Sequence, residues 1–229
     1  MMSPKALNNA SPNTALSVLV SLDTKGADID ISTAKFSLYG YEALKKQIEA
    51  ARTIRLLLCA QQTELQGTEA ERPKTLELLQ SILARDLYKC LDKKAEIRAL
   101  PVDNPGAALT IIQGARNVSS TGGDLEGTNA TALQIGPDYT LDGLGALASA
   151  INYQGIQFFD EMAVSMDAMF ENNWNAAKDI KKEYLSRLHE IYKDRTPREI
   201  YEYALYRIFE HDDTGKSINK DTGIANTQI

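Results

Sequence analysis

The sequence predicts an α/β fold: a mixed or mainly parallel sheet flanked by helices, with a C-terminal helical appendage. Three observations predict it. Between residues 28 and 113, short apolar or alternating runs take turns with stretches whose apolar residues recur every three to four positions, which gives strands interleaved with helices. One run, "TIRLLLCA" at 53–60, is nearly all apolar without alternation, as in a strand covered on both faces. From Phe158 onward the helical period runs almost unbroken.

The elements follow in order. Residues 1–14, rich in Asn, Ser and Pro, read as a disordered or loosely attached arm. "ADIDIS", with Ile29 and Ile31 alternating, is a strand over 28–34, and an amphipathic helix begins near Tyr41. A second strand covers 54–60, and after a polar loop "KTLELLQSILARDLYKCLDKK" is a long helix. Strands at 95–100 and 108–113 flank the turn "PVDNPG", and a further strand is expected at 130–135 within Gly-rich sequence. "FFDEMAVSMDAMFENNW" and "DIKKEYLSRLHEIY" are helices, the second with Asp179 as N-cap. "TPREIYEYALYRIFE" is a third, in which Thr196 caps, Pro197 occupies the first turn and Glu199 completes a capping box. The domain reading is an arm at 1–14, an α/β domain at 15–155, a helical appendage at 156–210 and a polar linker or tail at 211–229. The appendage is expected to dock through Trp174, Tyr184, Leu188, Tyr201 and Leu205. No internal repeat is evident.

Composition narrows the function classes. Hydrophobic residues at 43% and charged residues at 24% of a 229-residue chain suit a soluble globular protein with one substantial core. The net charge of −6 argues against wholesale coating of nucleic acid while leaving room for a local basic groove. Cys59 and Cys90 sit at no metal-ligand spacing and read as buried reduced thiols, as in a cytoplasmic protein. No apolar run approaches the ~20 residues needed to span a bilayer, and the polar start lacks the pattern of a signal peptide. Neither a membrane, a metal nor a cofactor is expected.

The stretch that draws attention to function is "IIQGARNVSSTGG" at 111–123, where an apolar run ends in Gly-x-x-Asn, hydroxyl residues and paired glycines. Successive backbone N–H groups of such a turn converge on an anion. Gly114, Arg116, Asn117, Ser119 and Ser120 are therefore the candidate phosphate- or DNA-binding residues, with Arg116 as a fork donor suited to phosphate. Pairing of Arg116 with Asp124 or Glu126 is the plainer alternative.

The order of these motifs resembles the phospholipase D-like domain found at the N-terminus of prokaryotic Swi/Snf-type helicases. "IDISTAKFSLYGYEALKKQI" followed by "TIRLLLCA" is similar to that family's first strand, F-S-x-x-G turn, helix and second strand. "GARNVSSTG" resembles its G-S-x-N-[FW]-[ST]-x-x-G loop at Gly114, Asn117, Ser119 and Gly122. "FENNWNAAKDIKKEYLSRL" with "TPREIYEYALYRIF" resembles the helical region that links the domain to the motor.

The resemblance also exposes a loss. Active members of the superfamily carry H-x-K-x-x-x-x-D ahead of the G-S-x-N loop, with the histidine as nucleophile. Counting back from Gly114, those positions fall on Leu100, Val102 and Ala107; taking "GPDYTLDGLG" as the loop instead, they fall on Gly122, Asp124 and Asn129. Neither frame supplies a nucleophile, and His189 and His211 lie far along the chain.

Other motifs carry less. "DDTGKS" lacks the first glycine of a nucleotide-binding loop, since Glu210 stands there, and "HDD" at 211–213 has no partner cluster. Asp23, Asp28 and Asp30 straddle a strand start, where turn and edge roles are expected. Tyr139, Tyr153, Phe158 and Phe159 read as core rather than as base-stacking residues, and the helix pair around 176–198 is mildly basic.

The expected function is a non-catalytic module for DNA binding or dimerisation, serving a helicase-type DNA-processing or defence system. Two alternatives stay open: an active phosphodiesterase or nuclease with an unrecognised site, and an interaction protein with no nucleic-acid role. In the family, two half-sites commonly face each other across a two-fold axis. With one good G-x-x-N loop here, a homodimer with contacts near 111–135 is expected.

Overall fold

The computed structural model describes residues 3–8, 13–59, 77–101, 108–114, 116–117, 130–136, 138–147 and 154–192, together with Arg198, Tyr201, Glu202 and Leu205. One compact unit spans Met1–Lys193 and a second spans Asp194–Ile229.

The first unit is built in this order: β1 (Lys5–Asn8), α1 (Ala15–Ser21), β2 (Leu22–Asp23), β3 (Asp28–Thr33), β4 (Lys35–Phe36), α2 (Leu38–Ala43), α3 (Lys45–Ala50) and β5 (Thr53–Cys59). Then come α4 (Glu77–Lys94), β6 (Ala95–Leu100), β7 (Leu109–Gln113), β8 (Arg116–Asn117), β9 (Ala130–Gln134), β10 (Asp138–Tyr139) and α5 (Leu141–Leu144). The unit closes with β11 (Gln154–Phe159), α6 (Asp160–Ala176), β12 (Lys178–Asp179) and α7 (Lys181–Tyr192). Eight strands form one mixed sheet in the order β1-β11-β9-β7-β3-β5-β6-β12. Strands β3, β5 and β6 are parallel, whereas β7, β9, β11 and β1 run antiparallel to their neighbours. The expected mixed α/β sheet flanked by helices is the observed fold.

Side chains explain why these strands lie inside. Leu56 and Leu58 point to one face of β5 and Leu57 to the other, and all three are buried. On the face of Leu57, a cluster joins Leu100, Ile111, Ala132 and Phe158 to Ala163, Phe170 and Trp174 of α6. Burying an aromatic pair such as Phe170 and Trp174 contributes several kcal/mol of apolar transfer, so α6 belongs to the core. Trp174, Tyr184 and Leu188 are buried as expected.

That same face holds charge. Arg55 forks onto Asp30 (Nε–Oδ1 2.6 Å, Nη2–Oδ2 2.7 Å), also bonds Glu171, and lies over the rings of Phe170 and Trp174. Burial pushes the Asp30 carboxyl above the usual carboxylate range, against the pull of Arg55. Asp30 is thus no turn or edge residue; it sits on an interior strand as the counter-charge of Arg55.

Other differences have equally local causes. Lys5–Asn8, read as part of a loose arm, extends the sheet as β1 by pairing with Gln154–Gln157, and Thr14 caps α1 by accepting the Ser17 N–H. Phe158 and Phe159 end a strand rather than open a helix, because their partners Ala132 and Thr131 lie on β9. The helix expected near Tyr41 starts at Leu38, where the Ser37 hydroxyl accepts the Gly40 N–H. Asp179 acts near its expected position, accepting the Lys181 N–H at 2.8 Å.

In the second unit, Arg198 pairs with Glu202 at 2.9 Å. Tyr201, expected to pack, is 64% exposed. Thr196, Pro197 and Glu199 lie outside the described residues, as do the motifs at 210–217.

Candidate functional site

The parallel strands give the sheet two distinct edges, one where β3, β5 and β6 begin and one where they end. At the ending edge, β4 pairs in parallel with β10, so that Lys35 lies opposite Asp138 and Phe36 opposite Tyr139. The Phe36 and Tyr139 rings stack at 5.7 Å. Each short strand then turns into a helix by the same device. Ser37 accepts the Gly40 N–H at 2.9 Å, and Thr140 accepts the Gly143 N–H at 3.2 Å. Both glycines are required by close approach, since a Cβ on Gly40 would overlap the Tyr139 carbonyl and one on Gly143 the Asp138 carbonyl.

These turns are a local repeat, F-S-L-Y-G at 36–40 and Y-T-L-D-G at 139–143, that was missed in the sequence. Five residues with Phe traded for Tyr and Ser for Thr are too short and too degenerate to signal by themselves. The spacing [FY]-[ST]-L-x-G was the available clue.

Among the described residues, the buried polar groups at this edge are neutral. Thr33 Oγ1 accepts the Tyr139 N–H at 3.2 Å and donates to the Lys35 carbonyl at 2.9 Å. The Thr110 and Tyr139 hydroxyls bond each other. Thr33, Ser37, Thr110, Tyr139 and Thr140 are all buried, and burial pushes the Tyr139 phenol well above its ordinary range. The Tyr139 phenol therefore keeps its proton near neutral pH.

The predicted phosphate loop lies at the other edge. Gln113 pairs with Asp28, the first residue of β3, and Gly114 follows with φ +83°, its Cα side facing Ala27. Arg116 and Asn117 form β8 antiparallel to β2, opposite Asp23 and Leu22. The length of β3 therefore separates Gly114 from the F-S-L-Y-G turn, about 17 Å at strand rise. Ser119 and Ser120, with Asp124 and Glu126, lie outside the described residues. Of the two reading frames, the structure sets the turn of the second, "GPDYTLDGLG", beside F-S-L-Y-G. That frame's Gly122, Asp124 and Asn129 also lie outside the described residues, as do Val102 and Ala107 of the first. Leu100 is buried at the end of β6.

This beginning edge is charged. Asp28 accepts from Arg52 and, at 2.6 Å, from the Thr53 hydroxyl; the Arg52 bond holds its carboxyl below the usual range. Lys94 donates to the carbonyls of Ile48, Glu49 and Ala51 at 2.7, 2.7 and 2.8 Å. Between α3 and α4 a cleft of about 630 Å³ is lined by Lys45, Glu49, Arg52, Asp86, Lys89, Cys90, Lys93 and Lys94. Of the histidines, His189 packs edge-on against Tyr192 on α7, and His211 lies outside the described residues. Among the described residues no group of three His, Cys, Asp or Glu is placed to hold a metal, and no helix is long and apolar enough to cross a membrane.

No protein-family model matches the chain, and no curated protein matches its sequence. Among solved structures, the chain is similar to Nuc, a phospholipase D family member from Salmonella typhimurium, with a TM-score of 0.45 and 11% identity over 78% of this chain and 97% of that one. It is similar to NucT from Helicobacter pylori, with a TM-score of 0.41 and 10% identity over 78% and 100% of the two chains. It is also similar to phosphatidylserine synthase from Haemophilus influenzae, with a TM-score of 0.47 and 14% identity over 92% of this chain and 46% of that one.

Proposed function

We propose that the chain is a non-catalytic phospholipase D-like module that binds the phosphodiester backbone of DNA in service of a helicase-type DNA-processing system. The observation that carries this reading is that residues 1–188 contain no histidine, while every strand of the sheet and every loop between strands lies within them. A phosphohistidine intermediate has no histidine to form on within those strands and loops. The ending edge, where F-S-L-Y-G and Y-T-L-D-G meet, is filled by a stacked aromatic pair and neutral hydroxyls. Binding without cleavage is what the remaining groups support: Gly114, Arg116, Asn117, Ser119 and Ser120 supply donors and a guanidinium. The sequences at 170–188 and 196–209, which resemble the helicase linker region, support the motor domain as partner. A second copy docking near 111–135 would pair two such loops, and light scattering at high micromolar concentration checks this through a dimer mass.

The test is direct. Incubated with linear and nicked duplex DNA, the chain retards both without cutting either, and the retardation weakens steeply with salt. Arg116→Ala weakens binding about equally for all sequences and lowers the salt slope by about one. Cleavage that persists through stringent purification would overturn the non-catalytic assignment. Absence of any retardation at low salt would overturn the DNA role.

A further inference from the structure

We propose that the cleft between α3 and the last turns of α4 is a second binding site, specific for a phosphate group. It is separate from the Gly114 loop and lies on the same edge of the sheet. The chain as a whole carries −6, yet this cleft gathers Lys45, Arg52, Lys89, Lys93 and Lys94 against only Glu49 and Asp86. Such a concentration of one sign in an acidic chain needs a reason, and the arrangement of donors supplies it.

The cations divide into two groups by what already binds them. Lys94 has spent its three N–H donors on the carbonyls at the end of α3. It fixes the cleft wall, and its charge faces the cleft. Lys45 is held by Asp86 at 2.6 Å, and Arg52 by Asp28. Both carboxylates of the lining are engaged as well, since Glu49 accepts from the buried Tyr41 hydroxyl at 2.9 Å. Lys89 and Lys93 are left, both exposed, and among the described residues neither makes an ion pair. They stand four residues apart on α4, so their Cβ atoms lie about 5–6 Å apart on one face and two ammonium groups reach one tetrahedral anion. Lysine ammonium groups are compact point charges with three donors each, which suit phosphate oxygens.

Two sources share this chemistry, the backbone of a nucleic acid and a free phosphate. Position favours the backbone. Arg52 bonds Asp28, which lies opposite Gln113, and Gly114 follows directly. A single strand lying along this edge would meet the cleft and the Gly114 loop in succession. This part of the inference rests on the DNA-binding reading; the phosphate site itself does not.

The experiment uses the full chain and the double variant Lys89→Ala/Lys93→Ala, whose exposed positions leave the melting temperature unchanged. Fluorescence anisotropy follows a labelled 20-mer single strand at 50 and 200 mM KCl, and calorimetry follows inorganic phosphate. A loss of roughly tenfold in oligonucleotide affinity, with a salt slope lowered by about two, establishes the cleft as a backbone site. Loss of phosphate binding alone assigns it to the free anion. Wild-type affinity for both in the double variant overturns the proposal. Arg116→Ala separates the two readings: if it binds normally while the double variant does not, the cleft stands and the Gly114 loop falls.

Discussion

The two edges of one sheet have been put to opposite uses. Where β3, β5 and β6 end, the turns at Ser37 and Thr140 are joined by the Ser37 N–H bond to the Tyr139 carbonyl and by the Phe36–Tyr139 ring stack, beside the Thr110–Tyr139 hydroxyl pair, and the buried polar groups described there are neutral. Where the same strands begin, Arg52, Lys45, Asp86 and Lys94 line an open cleft, with Arg52 paired to Asp28 and Lys45 to Asp86, all of them half-buried or exposed. The difference teaches how one sheet can hold its two ends by different means, one by neutral packing and the other by solvated charge. Close packing holds the paired turns together, because the Tyr139 carbonyl accepts the Ser37 N–H and leaves no room for a side chain at Gly40. Solvated charge, by contrast, costs little to rearrange, so the beginning edge should tolerate substitution better.

The largest effect should come from the same substitution made at both edges. Gly40→Ala drives a methyl into the Tyr139 carbonyl of the partner turn, and Gly143→Ala drives one into the Asp138 carbonyl of its own turn, each at a cost of about 3 kcal/mol. Gly26→Ala, at the beginning edge, meets no atom within 4 Å and bears only the strain of φ +76°, about 1 kcal/mol. Urea unfolding of the three variants measures the contrast. Equal losses would mean that the turns are not interlocked.

This contrast also marks what could be read from the sequence. The strands at 28–33, 53–59, 95–100, 109–113 and 130–134 were legible because each is long enough for its apolar pattern to state its environment. Strands of two residues, such as β4 and β10, have no period at all, and only pairing creates them. β11 was hidden because "QFF" abuts a helix and an apolar pair belongs to either element. The loop glycine at 114 was legible as a turn, but its place on the sheet was not, because that depends on β7 running antiparallel to β3. The cleft was invisible for a related reason: Lys45, Arg52, Lys89 and Lys93 belong to separate segments that only the fold assembles.

A smaller effect tests the closure of the ending edge. Thr110→Val keeps the shape of a buried side chain but leaves the Tyr139 hydroxyl without its partner, costing about 2 kcal/mol. Adding Tyr139→Phe removes the stranded group, so the double variant should lose less than the sum of the single losses. Lys93→Ala at the opposite edge should stay within about 0.5 kcal/mol of the parent. A strictly additive double variant would show that the hydroxyl pair is not a buried unit.

The smallest effect is the response to acid, and β3 carries both signs of it. At Asp28 the Arg52 and Thr53 bonds favour the carboxylate, so the folded chain releases this proton more readily than the unfolded one. Its contribution is present above the ordinary aspartate value of 3.8 and is lost as pH falls through and below it. At Asp30, burial favours the protonated acid, so its contribution is largest in acid and fades as pH rises past 3.8 towards its raised value. Arg52 is largely exposed, which keeps the Asp28 contribution small. Unfolding free energies between pH 5 and pH 2.5 should therefore fall less steeply in Asp28→Asn than in the parent. In Asp30→Asn they should fall more steeply, because the opposing term is gone. The same slope in all three proteins would show that neither carboxyl senses its place on the strand.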